Sequence, residues 1–202
     1  MKLHRTFIRF AATAIVVCGM AQHSPGYSQT MDTSRTIADK GIRVILVGDS
    51  TMATRTGYGD ALCKRFVAST ECINLARGGR SSKSFRVEGL WDNMLKILAD
   101  NQASAASGSA RKPWVLIQFG HNDQPGKAER STDLATEFPV NMARYVDEVR
   151  AAGGDTVLVT PLTRRSFKDG VLQNDLRPWA EAVIRVARAK SVPVIDLNAK
   201  SY

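Results

Sequence analysis

Three clusters of small polar residues each follow an apolar run, and together they suit acyl transfer. They are Gly48-Asp49-Ser50-Thr51, Gly78-Gly79-Arg80-Ser81 and Gly120-His121-Asn122-Asp123. A serine hydroxyl can attack an acyl carbon, a glycine lets its backbone N–H approach a developing oxyanion, and an asparagine amide offers a further donor. Each such donor is typically worth about 3–4 kcal/mol in the transition state. Ser50 is therefore a candidate nucleophile, with a glycine of the second cluster and Asn122 as candidate oxyanion donors.

Taken alone, the first cluster has an ordinary alternative, because Gly-Asp-Ser after a strand also occurs as a simple turn with a helix cap. The other two clusters favour the catalytic interpretation. The sequence contains no G-x-x-x-x-G-K-[ST] loop, no G-x-G-x-x-G loop and no His/Cys spacing typical of a metal site. We therefore predict that the protein uses no cofactor and no metal ion.

The elements that must position these clusters alternate between apolar runs and amphipathic segments. The predicted strands are residues 42–47, 71–75, 114–119, 156–160 and 192–197. The predicted helices are residues 58–67, 86–99, 138–152 and 177–190, and residues 164–175 are predicted to be a charged loop. This alternation predicts a doubly wound, flavodoxin-like parallel five-stranded sheet with helices on both faces. Because ligands bind outside the carboxyl ends of such strands, the three clusters are expected to meet in one crevice.

The clusters resemble the first three sequence blocks of the SGNH, or GDSL-type, hydrolases. The longer motifs are similar to those of rhamnogalacturonan acetylesterases: GDSTMA at 48–53, GRSSKSF at 79–85 and FGHND at 119–123. The resemblance covers roughly residues 42–202 and implies that Ser50 is the nucleophile. It also implies an oxyanion hole built from the backbone N–H groups of Ser50 and Gly79 and the side chain of Asn122. The implied substrate is an O-acetyl ester of a plant cell-wall polysaccharide, with no cofactor.

The sequence departs from this family at the general base. The family's catalytic Asp and His lie in an Asp-x-x-His block after the fifth strand, and this sequence contains no such block before its last residue, Tyr202. His121 belongs to the third block, where the family histidine is not the base. Loss of a triad member leaves only about 10³–10⁴-fold catalysis over water. We therefore expect the hydrolase domain, residues 29–202, to be C-terminally incomplete and inactive as it stands.

Two further expectations follow from this departure. A missing C-terminal segment would carry a last helix that covers one face of the sheet, so exposed apolar surface and poor solubility are expected. The alternative to an incomplete chain is a natural pseudoenzyme that binds acetylated glycan in the same crevice without cleaving it.

Residues 1–28 have the pattern of a secretory signal peptide. Lys2, Arg5 and Arg9 precede an apolar run of eleven residues, 10–20, which is short for a membrane span. We expect export to the periplasm or the exterior without stable membrane insertion after cleavage, the alternative being an uncleaved anchor. Without residues 1–28 the chain carries 25 Lys and Arg against 19 Asp and Glu, a net charge of +6. That charge favours an acidic polymer such as pectin, a cell-surface glycan or nucleic acid, and it does not choose among them. We expect an acetylated polysaccharide or oligosaccharide as the partner, no nucleic acid, and a monomer.

Three cations follow the second cluster and are candidates for substrate binding. Arg80, Lys83 and Arg86 are predicted to flank the crevice, where arginine can pair with a galacturonate carboxylate in a bidentate way. Arg80 is the best candidate of the three. The alternative is a solvated cluster of surface charge.

The remaining candidates are interpreted as structural. Cys63 and Cys72 are the two cysteines outside the signal peptide, and export would permit a disulfide between them, with two buried thiols as the alternative. Asp49 and Asp123 are predicted to stabilise their loops by hydrogen bonds rather than to take part in catalysis. Trp91 is predicted to lie in the core rather than to stack on a sugar.

Overall fold

The computed structural model describes residues 41–202, which are built around a parallel sheet. The strands are β1 Ile42–Gly48, β2 Glu71–Asn74, β3 Lys112–Gln118, β4 Asp155–Val159, β5 Phe167–Lys168, β6 Val171–Leu172 and β7 Val194–Ile195. Five of them form the parallel sheet in the order β2-β1-β3-β4-β7, while β5 and β6 pair as a separate antiparallel hairpin. This is the flavodoxin-like order, so the predicted fold class is confirmed. The predicted signal peptide lies outside the described residues.

The helices lie on both faces of the sheet, but unequally. They are α1 Gly59–Cys63, α2 Ser84–Val87, α3 Leu90–Ala103, α4 Glu137–Ala151, α5 Arg177–Lys190 and α6 Leu197–Ser201. The chain moves from β1 to β2 in one direction along the sheet, and all later crossovers run in the other direction. Because crossovers between parallel strands are right-handed, α1 packs on one face and the three long helices pack on the other.

The face that carries the long helices holds the main core. The inward side chains of β1 and β3 pack there against apolar residues of α3, α4 and α5. Trp91 and Tyr145 meet edge to face in this core, with ring centroids 4.4 Å apart. Trp91 is only 1% exposed, which confirms that it is a core residue.

The opposite face has a smaller core. Val44 and Leu46 pack there against the segment that follows Ser50, including Met52. A disulfide joins Cys63 at the end of α1 to Cys72 in β2, with the Cα atoms 5.4 Å apart. Further along the same face, Ile195 of β7 is 41% exposed. The exposure of one side chain does not test solubility, so the expected poor solubility stays a prediction.

Three sequence-based element predictions were wrong in detail. The helix expected at 86–99 is divided into α2 and α3 by Gly89, whose φ of 72° lies in the left-handed region and ends the first helix. Val87 is consequently 79% exposed instead of lying on the buried side. The helix expected at 58–67 is shorter, because only Gly59–Cys63 is helical. The charged loop at 164–175 contains the β5–β6 hairpin.

Within residues 41–202, no helix is both long enough and apolar enough to cross a membrane.

Candidate active site

Ser50 lies in the turn directly after β1. Asp49, which is fully buried, braces this turn because its Oδ1 accepts hydrogen bonds from the N–H and the hydroxyl of Thr51, each at 2.8 Å. The predicted structural role of Asp49 is thus confirmed. Ser50 is exposed and lines a crevice of about 600 Å³ together with His121 and Asn122. The serine is therefore accessible to a ligand while its backbone is held.

The loop after β2 approaches Ser50 at Gly78 and Arg130 at Gly79. A Cβ on Gly78 would lie 3.7 Å from the Cβ of Ser50. Gly79 has a φ of +79°, and a Cβ added there would lie 3.2 Å from Nη1 of Arg130. A side chain at Gly79 would thus be strained by the backbone and would press on the arginine. The glycine allows this loop to lie between Ser50 and Arg130.

Asn122, in the loop after β3, is held at both ends of its amide. Its Nδ2 donates to the backbone carbonyl of Arg80 at 2.9 Å, and its Oδ1 accepts from Nη1 of Arg130 at 3.5 Å. An amide nitrogen carries two hydrogens, so one Nδ2 hydrogen remains available to a ligand. The structure places Ser50, Gly79 and Asn122 after the carboxyl ends of β1, β2 and β3. Ser50 and Asn122 line the same crevice, whereas Gly79 lines a second one.

Asp123 joins the second and third loops from the buried side. Its carboxyl accepts from the Ser82 N–H at 3.1 Å, from the Ser82 hydroxyl at 2.5 Å and from the Thr132 hydroxyl at 3.2 Å. Burial raises the pKa of Asp123 to about 7, although hydrogen bonds from Ser82, Thr132 and Gly120 act in the opposite direction. The predicted loop-stabilising role of Asp123 is confirmed. The Tyr145 hydroxyl supports the same region by donating to the Ser82 carbonyl at 2.9 Å.

His121 is the one histidine among residues 41–202, and it faces Asp49 rather than Ser50. Its Nδ1 lies 3.3 Å from Oδ2 of Asp49, and both atoms are buried without a hydrogen bond of good geometry. Within the described part of the chain, no hydrogen bond joins His121 to the Ser50 hydroxyl. The arrangement therefore presents a candidate nucleophile and candidate oxyanion donors, and among the described residues it does not connect Ser50 to an imidazole base.

The structure places the three candidate cations differently. The Arg80 guanidinium pairs with Glu88 through Nε at 2.8 Å and Nη2 at 2.7 Å, and it also donates to the Gly78 carbonyl at 2.8 Å. A substrate carboxylate would have to displace Glu88 from Arg80, and the assignment of Arg80 to substrate binding stays a prediction. Lys83 lies 3.6 Å from Glu137.

The prediction for Arg86 was wrong, because this side chain points into the protein. It binds Glu148 at 2.9 Å and lies 4.1 Å from the centroid of the Tyr145 ring. Trp91 Nε1 donates to the same Glu148 oxygen. Burial on its own would raise the pKa of Glu148, but hydrogen bonds from Trp91, Arg144 and Arg86 lower it below its ordinary value.

Two arginines at the site were not identified from the sequence. Arg130 contacts both the loop after β2 and the loop after β3, and Arg164 donates through Nη2 to the His121 carbonyl and to Oε1 of Gln124, each at 2.8 Å. Neither arginine belongs to a recognisable motif, so no local signal marks them.

Asp196 caps α6 by accepting from the Ala199 N–H at 3.1 Å. Among residues 41–202, no three His, Cys, Asp or Glu side chains form a group that could hold a metal ion.

An accessible serine at the switch point of a parallel sheet, beside backbone and amide donors from two neighbouring loops, defines the class of α/β serine esterases. The sequence matches the model of the GDSL-like lipase/acylhydrolase family over residues 46–201. On this match, the chain belongs to the GDSL-like lipase/acylhydrolase family and is a carboxylic ester hydrolase.

Named relatives agree with this assignment. The chain is 32% identical over 165 residues to a probable rhamnogalacturonan acetylesterase, YesY of Bacillus subtilis, covering 78% of this chain and 71% of YesY. It is 33% identical over 170 residues to the rhamnogalacturonan acetylesterase RhgT of the same organism, covering 80% of this chain and 67% of RhgT. The resemblance drawn from the three sequence blocks is thereby confirmed.

Solved structures support the fold. The chain superposes on YxiM of Bacillus subtilis with a TM-score of 0.63 at 24% identity, covering 79% of this chain and 44% of YxiM. It superposes on Axe2, an acetylxylan esterase from Geobacillus stearothermophilus, with a TM-score of 0.57 at 16% identity, covering 80% and 79% of the two chains.

Proposed function

We propose that this esterase removes O-acetyl groups from a plant cell-wall polysaccharide of the rhamnogalacturonan type, through an acyl-enzyme at Ser50, after export from the cytoplasm. The observation that carries the proposal is that Ser50 and Asn122 line one open crevice, while the glycine loop after β2 lies against Ser50 at Gly78. The acetylated polysaccharide is supported by the names of the relatives YesY and RhgT. Export is supported by the composition of residues 1–28.

The proposed reaction begins when Oγ of Ser50 attacks the acetyl carbonyl carbon. The carbonyl π electrons move onto oxygen, and the resulting oxyanion accepts hydrogen bonds from the backbone N–H groups of Ser50 and Gly79 and from Nδ2 of Asn122. Collapse of this intermediate breaks the bond between the acetyl carbon and the sugar oxygen, and the sugar oxygen takes up the proton that Ser50 lost and leaves as a hydroxyl. Water then hydrolyses the acetyl-serine to acetate.

Attack by Ser50 requires a base that accepts the hydroxyl proton, since a free hydroxyl is a poor nucleophile at neutral pH. Among residues 41–202, the one histidine is directed at Asp49. This observation favours a second candidate function, in which the crevice binds acetylated glycan without cleaving it.

Acetate release distinguishes the two candidates. The full chain and its Ser50→Ala variant would be assayed on 4-nitrophenyl acetate, acetylated rhamnogalacturonan and acetylated xylan. We expect Ser50→Ala to remove most of the hydrolysis of the first two substrates, because the acyl-enzyme cannot form without Oγ. Equal rates for the two proteins would eliminate Ser50 as the nucleophile.

A matched control is Ser69→Ala, which removes an exposed hydroxyl before β2, at the opposite edge of the sheet. This variant should keep the native rate. If the native chain retains acetylated glycan without any Ser50-dependent acetate release, the binding function replaces the esterase. A higher rate on xylan than on rhamnogalacturonan would contradict the proposed substrate.

A further inference from the structure

Arg130 is one side chain that contacts both loops of the proposed oxyanion hole. Its Nη1 donates to the Gly79 carbonyl at 2.9 Å and lies 3.5 Å from Oδ1 of Asn122. It also lines the two cavities on either side of these loops, one of about 290 Å³ with His121 and one of about 410 Å³ with Gly79. Arg130 thus connects the loop after β2 with the loop after β3.

The contact with Asn122 determines which end of that amide faces which neighbour. A guanidinium has only donors, so the amide must direct its oxygen toward Arg130. Its nitrogen then faces the Arg80 carbonyl, which has only acceptor capacity. A flipped amide would oppose nitrogen to guanidinium and oxygen to carbonyl, and both contacts would become repulsive.

The contact with Gly79 fixes the second donor. Accepting a hydrogen bond from Arg130 restrains the Gly79 carbonyl, and with it the backbone of a residue whose φ of +79° is accessible to few residue types. The surroundings of Arg130 permit it to restrain the loops. Its side chain is 21% exposed, and the carboxylate of Glu129, which lies at the surface, is 3.8 Å from its Nε. Arg130 therefore makes its short contacts with the loops and not with an internal ion pair.

We propose that Arg130 is a positioning residue of this esterase: it orients the Asn122 amide and the Gly79 backbone so that their N–H groups point to the substrate oxyanion. The inference rests on the proposed function, because it assigns a purpose to donors that act only in ester hydrolysis. Arg130 itself does not need to touch the substrate.

The test compares Arg130→Met, Arg130→Lys and Arg130→Ala in the full chain, with Arg185→Met as a control at an exposed arginine of α5. The rate used is the Ser50-dependent rate, obtained by subtracting the rate of Ser50→Ala. Because loss of a whole oxyanion donor costs about 10²–10³-fold in kcat, two loosened donors should cost roughly tenfold to a hundredfold. KM should change less than about threefold, since the oxyanion exists only in the transition state.

Two readouts separate positioning from a general structural role. Guanidinium ion at millimolar concentration should restore part of the kcat of Arg130→Ala, and Arg130→Lys should retain an intermediate kcat. In ¹⁵N-labelled protein, the side-chain amide signals of Asn122, assigned by their loss in Asn122→Asp, should shift or broaden in Arg130→Met and stay unchanged in Arg185→Met.

The outcomes are distinct. An unchanged kcat with unchanged Asn122 signals in Arg130→Met would overturn the inference, and so would a raised KM at constant kcat, which indicates direct substrate binding. If the native chain shows no Ser50-dependent hydrolysis, the proposed function fails. The Asn122 signals alone then decide whether Arg130 positions the amide.

Discussion

The loops after β2 and β3, which carry the proposed oxyanion donors, are held from two sides by contacts of different character. On the buried side lies a rear support made of Ser82, Asp123 and Tyr145, in which every hydrogen bond is enclosed by the protein. On the solvent side lies a front support, the single side chain of Arg130. The rear support rests on the main core, since Tyr145 stacks on Phe119 with ring centroids 5.5 Å apart. The front support rests on a surface loop.

This difference separates stability from activity at one site. A buried polar group that loses its partner costs about 1–3 kcal/mol of stability, because water cannot replace the lost hydrogen bond. A partly exposed group that loses its partner regains water at little cost. The rear support should therefore determine whether the loops fold, and the front support should determine how precisely the donors point.

The largest effect is expected for Asp123→Ala. The substitution leaves the Ser82 N–H, the Ser82 hydroxyl and the Thr132 hydroxyl without their acceptor in a buried site. Unfolding in urea should show a loss of about 3–5 kcal/mol, as for other broken buried networks. Arg130→Met, measured in parallel, should lie within about 0.5 kcal/mol of the native protein, like most surface substitutions. Similar losses in the two variants would remove the distinction between the supports.

The pH dependence of stability sharpens the same comparison. Burial raises the pKa of Asp123 to about 7, from 3.8 in an unperturbed carboxyl. Between these values the folded protein binds this proton more tightly than the unfolded chain, so the contribution of Asp123 to stability is largest below about pH 4 and falls as the pH rises toward 7. For this one group the slope is at most about 1.4 kcal/mol per pH unit.

The slope can be measured by urea unfolding at several pH values between 4 and 7. Asp123→Asn should remove this contribution to the slope, whereas Arg130→Met should keep it. An unchanged slope in Asp123→Asn would show that the folded-state pKa of Asp123 is not raised.

A smaller effect is expected for Tyr145→Phe, which removes only the hydrogen bond from the hydroxyl to the Ser82 carbonyl. The loss should be about 1 kcal/mol, together with a fall in kcat because the loop after β2 is loosened. A matched control is Tyr58→Phe, whose hydroxyl donates to Oε1 of Gln118 at 2.8 Å on the other face of the sheet. The control should cost a similar free energy of unfolding and leave kcat unchanged. If kcat fell in Tyr58→Phe but not in Tyr145→Phe, the assignment of Tyr145 to the rear support would be contradicted.

Much of the fold was predictable from the sequence because its signals are local. β-Branched runs identified the strands of the parallel sheet, and α5 was predicted with the bounds that the structure shows, Arg177–Lys190. The positions of the three candidate site residues were predictable for the same reason. Ser50, Gly79 and Asn122 each follow a parallel strand, and the carboxyl ends of these strands lie at the same edge of the sheet. Asp49 and Asp123 were recognised as loop-stabilising residues from their place in the same turns.

The division of the helix at Gly89 was not predictable from periodicity, because the apolar spacing continues past this residue. Only the structure shows that the backbone of Gly89 adopts the left-handed conformation. Arg86 was assigned to the crevice because it closely follows the second cluster, although it binds Glu148, a residue 62 positions away. Arg130 was missed because its partner Gly79 is 51 positions away.

The sequence by itself determined the strands, the turns after them and the residue types that these turns present at the edge of the sheet. The tertiary structure alone decided which charged side chain faces the core and which one contacts the loops after β2 and β3. The physical reason lies in the range of the interactions. The alternation of buried and exposed residues along an element and the conformation of a turn are set by neighbours in the chain. An arginine, by contrast, binds whichever carbonyl or carboxylate the folded chain brings to it.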